Sequence, residues 1–231
     1  MKGIYKIKYI SLLGLFVYLL TSCEREVVDF GNDRMLSGTL KDQSVNIVPG
    51  TVTKEDLSVF LLGEGETQPT ILRVDGEGVY QNTKLFSQVY KAWIKGPVFM
   101  VNPSDTIYLD FTKNMSLAQD WIVTPYLSLA KPEITSGPTA TSVNVSYSIT
   151  GNEGKTAAKR ELYCSTSPYP DTSRGSGNGY TTIKKSLSTN SGDFSVTGLK
   201  PGTKYYLRIG ASANGKTWNY SGQIIFTTPA Q

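Results

Sequence analysis

The residue types that most often do chemistry are thin in this chain. Its 231 residues include no histidine and two cysteines, Cys23 and Cys164. Without an imidazole there is no Ser-His-Asp or Cys-His nucleophile, and a Cys₄ metal site cannot be assembled. Gly151–Thr156 looks superficially like a phosphate loop, but Ile149 stands where its first glycine belongs and no helical pattern follows. Two carboxylate pairs remain, Glu64 with Glu66 and Asp75 with Glu77. Both lie in glycine-containing turns, where solvated acids lack the raised pKa that general acid catalysis needs. Asp75 and Glu77 also lack the ladder of oxygen ligands that calcium requires. The chain is therefore expected to be non-catalytic, with no cofactor and no metal.

Aromatic and amide side chains offer a different chemistry. Trp218 and Tyr220 fall on one face of a short strand after Asn214-Gly215, with Asn219 between them. Tyr169, Arg174, Asn178 and Tyr180 lie in one long polar loop. Rings can stack on the apolar C–H face of a sugar, and Asn and Arg can bond its hydroxyls, so these seven residues form a candidate glycan site. The alternative is that the rings pack under the loop or against a neighbouring domain. Trp93 lies between Lys91 and Lys95 on one face of a strand, which suits a lysine-covered outer face, a binding patch or, the favoured reading, an interdomain contact. Cys164, alternating with Leu162, is expected to be a buried, inert thiol.

The N-terminus reads as an export signal. Lys2, Lys6 and Lys8 precede the apolar run Tyr9–Leu20, and those twelve residues, at about 1.5 Å each, cannot cross a bilayer core of roughly 30 Å. Leu20, Thr21, Ser22 and Cys23 resemble the lipobox of bacterial lipoproteins. That resemblance implies cleavage of residues 1–22, acylation of Cys23 and anchoring in the outer membrane through lipid. Residues 23–34 then form a polar tether. Without the three signal-peptide lysines the net charge falls from +4 to +1, too little for the clustered cations of a nucleic-acid binder.

The elements that must position these residues are strands. Twenty-two glycines and many Ser, Thr and Asn punctuate short alternating runs, and no helical period is sustained. The chain reads as all-β, with two β-sandwich domains in tandem, residues 35–129 and 131–231, and a linker near Ser128–Pro132. Expected strands of the first domain are 36–41, 57–62, 70–74, 79–82, 89–95, 106–111 and 121–126, with a turn at Asp75–Gly78. In the second, Val143, Val145, Tyr147 and Ile149 form one apolar face, as do Tyr205, Leu207, Ile209 and Ala211.

Gly38–Asp42, Asp75-Gly76, Asn82–Phe86 and Tyr90 together resemble the transthyretin-like, carboxypeptidase-regulatory type of sandwich. Leu199, Pro201, Gly202, Thr203 and Tyr205 resemble the tyrosine corner of fibronectin type III domains, with Tyr147 where that fold usually has Trp. With Val123–Leu127 added, the chain is similar to a family of uncharacterised Bacteroidetes outer-membrane lipoproteins. Members occur beside glycan importers and glycan-binding lipoproteins. The resemblance thus implies an accessory or glycan-binding role in polysaccharide utilisation, with polysaccharide or a neighbouring lipoprotein as partner. A structural or adhesive spacer that binds a protein partner is the competing expectation.

Overall fold

A computed structural model describes residues 31–51, 56–99, 106–173 and 182–230. Cys23, Arg174, Asn178 and Tyr180 lie outside the described residues, as do the signal segment and most of the tether. From Asp33 onward the chain forms one compact unit. Its described residues form strands and turns without a helix.

The first sandwich is built from β1 (Arg34–Lys41), β2 (Ser58–Gly63), β3 (Thr70–Arg73), β4 (Val79–Leu85), β5 (Val89–Lys95), β6 (Val98–Phe99), β7 (Ile107–Asp110), β8 (Ser116–Ala118), β9 (Trp121–Ile122) and β10 (Thr124–Pro125). One sheet has the order β3-β2-β5-β7, antiparallel throughout. In the other, β1 pairs antiparallel with β4 and parallel with β8 and then β9. The core between them holds Leu36, Leu40, Val59, Leu61, Tyr90, Ala92, Ile94 and Phe111. Alternation explains this directly: every second residue of β5 points inward and the others face out. Tyr80 meets the need of its buried hydroxyl by donating to Gln119 O at 2.5 Å and accepting Trp121 Nε1–H at 3.0 Å.

The second sandwich comprises β11 (Leu127–Leu129), β12 (Glu133–Ser136), β13 (Ser142–Gly151), β14 (Lys159–Ser165), β15 (Thr182–Ser186), β16 (Ser191–Thr197), β17 (Lys204–Ser212), β18 (Asn219–Tyr220) and β19 (Ile224–Thr227). β11 and β12 share one edge of β13, with β16 on the other. The facing sheet runs β15-β14-β17, with β18 and β19 sharing the far edge of β17. This three-plus-four arrangement is an all-β sandwich, the fold class expected. At the turn before β17, Tyr205 is fully buried and its hydroxyl accepts the Lys200 N–H at 2.9 Å. Tyr147, in place of Trp, meets Thr189 Oγ1 at 2.9 Å. Cys164 is buried and free, and burial pushes its thiol up to about 12.

The join between sandwiches differs from the linker expected at Ser128–Pro132. Thr124-Pro125 pairs with β6 of the first sandwich, and Leu127–Leu129 already pairs with β13 of the second. Only Tyr126 lies between. It packs edge-on to Phe99 at 4.7 Å, donates its N–H to Pro97 O at 2.8 Å and carries the Lys155 ammonium 4.9 Å above its ring. Residues 128–132, where the composition shifts, comprise the end of β11 and the stretch that leads to β12. Edge strands with polar neighbours carry too little pattern to show which sheet they join.

Candidate functional site

Among the described residues a groove of about 830 Å³ lies where the sandwiches meet. That lies within the roughly 300–1,000 Å³ range usual for ligand clefts. One wall is the first sandwich's loop after β1, with Asp42, Asn46 and Ile47, and its β3–β4 turn, with Gly76 and Glu77. The other wall carries Ser148, Thr150, Tyr169, Gln223 and Ile225, and the floor includes Leu127–Lys131. Ile47 and Ile225 are exposed.

Local hydrogen bonding shapes the walls. Asp42 Oδ1 accepts the N–H groups of Ser44 and Asn46 at 2.8 Å each, and Asp75 Oδ1 those of Glu77 and Val79 at 2.8 and 2.9 Å. Gly78, with φ of 73°, supplies the left-handed residue that the Asp75–Gly78 turn needs. These bonds hold the acids as turn formers. Glu66 is similarly occupied, by Gly63 N–H at 3.0 Å and Gln88 Nε2 at 2.9 Å. Among the described residues no group of three or more His, Cys, Asp or Glu is placed to hold a metal.

Tyr169 is the one sequence-chosen ring that is half-buried and lines the groove. Its backbone is left-handed, with φ of 50°, a conformation bulky residues seldom adopt. It is held there by a bond from its N–H to Gln223 Oε1 at 2.8 Å and by its hydroxyl, which donates to Glu77. The ring lies so close to Gly76 that a Cβ there would sit 2.1 Å from it. Partial burial and the Glu77 carboxylate together push its phenol up to about 12.

The other rings are placed differently from the expectation of a solvent-facing cluster. Trp218 is 6% exposed and Tyr220 3%, and both pack on Tyr163, at 6.5 and 6.4 Å between centroids. They form an aromatic layer on the outer face of the β14–β17 sheet. Asn219 is also buried: its Nδ2 donates to Pro97 O at 3.0 Å, and its Oδ1 accepts Leu127 N–H at 3.2 Å. Trp218 is thus packed on Tyr163 within its own sandwich and Asn219 ties that sandwich to Pro97 of the first, so neither is a solvent-facing platform. Tyr220 and Asn219 reach the groove only as part of its floor.

Sequence reasoning missed the centre of this seam. Arg208 is fully buried. Its Nε donates to Pro170 O at 2.5 Å, Nη1 to Gly50 O at 3.2 Å and Nη2 to Tyr169 O at 3.1 Å. The guanidinium lies 4.1 Å from the Tyr220 ring centroid and 4.0 Å from the buried Asp171 carboxylate, which in turn accepts the Thr51 hydroxyl. Gly210 makes room, since a Cβ there would come within 2.8 Å of Tyr163 and 3.0 Å of Tyr220. A glycine inside a strand, two residues from an arginine, was the available signal. Trp93, expected at an interdomain contact, stacks on Phe60 across the β2–β5 pair at 5.5 Å.

No protein-family model matches the chain, and no curated protein resembles it closely enough to count. Solved structures do match its fold. A DUF3823 family protein from Parabacteroides merdae shares 19% identity at a TM-score of 0.65, over 84% of this chain and 98% of its own. One from Bacteroides ovatus shares 17% at 0.64, over 84% and 98%. A Bacteroides uniformis protein, described provisionally as a carbohydrate binding protein, shares 16% at 0.65, over 85% and 100%. At these identities the likeness is one of fold, and it extends over both sandwiches.

Proposed function

We propose that this chain is a lipid-anchored outer-membrane protein that binds glycan without transforming it, in the groove between its sandwiches. The observation that carries this reading is the groove's lining. Aliphatic surface from Ile47 and Ile225 alternates with Asn46, Ser148, Thr150 and Gln223, and one braced ring, Tyr169, stands in the wall. A sugar presents the same mixture of apolar C–H faces and hydroxyls. The carbohydrate-binding description of the Bacteroides uniformis neighbour supports it, as does the absence of histidine. The anchor is Cys23, and the sugar source would be polysaccharide handed on to a neighbouring importer or glycan-binding lipoprotein.

A glycan-array screen of the full chain tests the reading. A ligand is expected, and Tyr169→Ala should weaken it about tenfold, the value of one lost aromatic contact. Unchanged affinity in that variant would remove the groove as the site. Fatty-acid labelling should mark the wild type and not Cys23→Ser; equal labelling would remove the anchor.

A second reading has its own support. Bonds from Asn219 to Pro97 and from Arg208 to Gly50 tie one sandwich to the other. That suits a rigid spacer holding a protein partner away from the membrane, and an empty glycan screen would favour it.

A further inference from the structure

The first sandwich carries a second surface, remote in chemistry from the groove. On the outer face of the β3-β2-β5-β7 sheet, Ile71, Phe60 and Trp93 stand in one cross-strand row, and Leu62, Lys91 and Tyr108 in the next. Neighbouring strands are about 4.8 Å apart, so the side chains of each row are neighbours in a strip across the sheet, with Phe60 buried and Trp93 half-buried. Ile71 is exposed and Tyr108 is 72% exposed, although the inner faces of the same strands are buried.

The strip is preorganised. The Trp93 and Phe60 rings are stacked within 20° of parallel, and the Lys95 ammonium lies 5.7 Å from the Phe60 centroid. Such bracing lowers the entropy lost when a ligand stacks on Trp93. Among the described strand residues, Lys91 and Lys95 project from this face by strand alternation, as does the acid Asp110. That acid is occupied, accepting the Thr112 N–H at 2.8 Å and hydroxyl at 2.5 Å. Flanking Trp93 on its own strand, Lys91 and Lys95 are both exposed.

The geometry points to a binding strip for an anionic glycan, one whose pyranose rings stack on Trp93 and whose carboxylates meet Lys91 and Lys95. The lysines supply charge complementarity to uronate groups. Trp93 is half-buried against Phe60 and flanked by exposed lysines, which suits a polyanionic chain lying across the sheet better than a lipid surface that wedge-like side chains enter. This site is independent of the groove, and either can fail without the other.

Affinity electrophoresis of the full chain in nonionic detergent, through gels containing polygalacturonate or neutral dextran, tests it. Polygalacturonate should retard the wild type, and the retardation should fall with added salt, because exposed charges are screened over about 8–10 Å. Trp93→Ala should weaken apparent affinity about tenfold, whereas Trp93→Tyr keeps most of it. Lys91→Gln with Lys95→Gln, two exposed changes that spare the core, should weaken it and flatten its salt dependence. Equal retardation of wild type, Trp93→Ala and the double lysine variant would overturn the proposal. So would polygalacturonate retention lost in Tyr169→Ala but kept in Trp93→Ala, which moves the anionic glycan to the groove. Sedimentation with phosphatidylglycerol vesicles that depends on Trp93, without polygalacturonate binding, would reassign the strip to a lipid surface.

Discussion

Arg208 concentrates several roles in one side chain. A buried guanidinium is costly unless its donors and charge are met, and here three backbone carbonyls, Asp171 and the Tyr220 ring surround it. Removing it takes the nearby cation from the buried Asp171 carboxylate and unpairs carbonyls on both sides of the seam. Arg208→Ala should therefore cost about 3–5 kcal/mol. Arg208→Lys should recover little, because a single ammonium cannot reproduce a planar fork aimed at three oxygens. Urea unfolding followed by tryptophan fluorescence measures both, and a loss below about 1 kcal/mol in Arg208→Ala would show that the network contributes little net stability.

Among the strands, the parallel pairing of β1 with β8 and β9 is the least expected. It is secured from outside by Asp120, which accepts the Thr39 N–H at 2.9 Å, the Thr39 hydroxyl at 2.8 Å and the Lys41 ammonium at 2.8 Å. The Lys41 and Thr39 bonds hold its carboxyl down to about 2, against 3.8 for a free aspartate. A depressed folded-state pKa gives stability that is complete above 3.8 and is lost as pH falls toward 2. The wild type should thus lose its advantage over Asp120→Asn between about pH 5 and pH 2, a gap kept small by exposure. Unfolding free energies of the two proteins at the two pH values measure it; a constant gap would mean that the carboxylate's bonds do not hold the pair. Strands such as β5 and β13 were legible because five or more alternating residues fix a face. β6, β8, β9 and β10 were not, since two or three residues carry no period. The corner at Tyr205 was legible from local spacing, whereas the pairing of β1 with β8 joins residues about eighty apart and leaves no local trace. Of the candidate residues, Tyr169 lines the groove, whereas Trp218, Asn219 and Tyr220 are buried. Their burial was not legible because a strand's outer face looks solvent-facing in sequence even when other side chains cover it.

At the scale of the molecule, the two cores are separate clusters joined through one residue of chain and a polar seam. Neighbouring domains usually move unless their interface is extensive. Here the contacts are directional: Arg208 to Gly50, Asn219 to Pro97, and Tyr126 to Pro97. Each is buried or partly so, and each loss leaves a polar backbone group without its partner, at about 1–3 kcal/mol. That is a sizeable fraction of the about 5–15 kcal/mol by which folded proteins are ordinarily stable, enough to couple the two sandwiches. Calorimetry of the wild type should show one transition, with calorimetric and van't Hoff enthalpies equal. Asn219→Ala combined with Arg208→Ala should split it in two while leaving each tyrosine and valine core intact. The groove would lose its fixed width in that variant, so any groove ligand should bind more weakly and no longer raise both transitions together. A double variant that still melted in a single transition would place the coupling elsewhere, in the paired strands on either side of Tyr126.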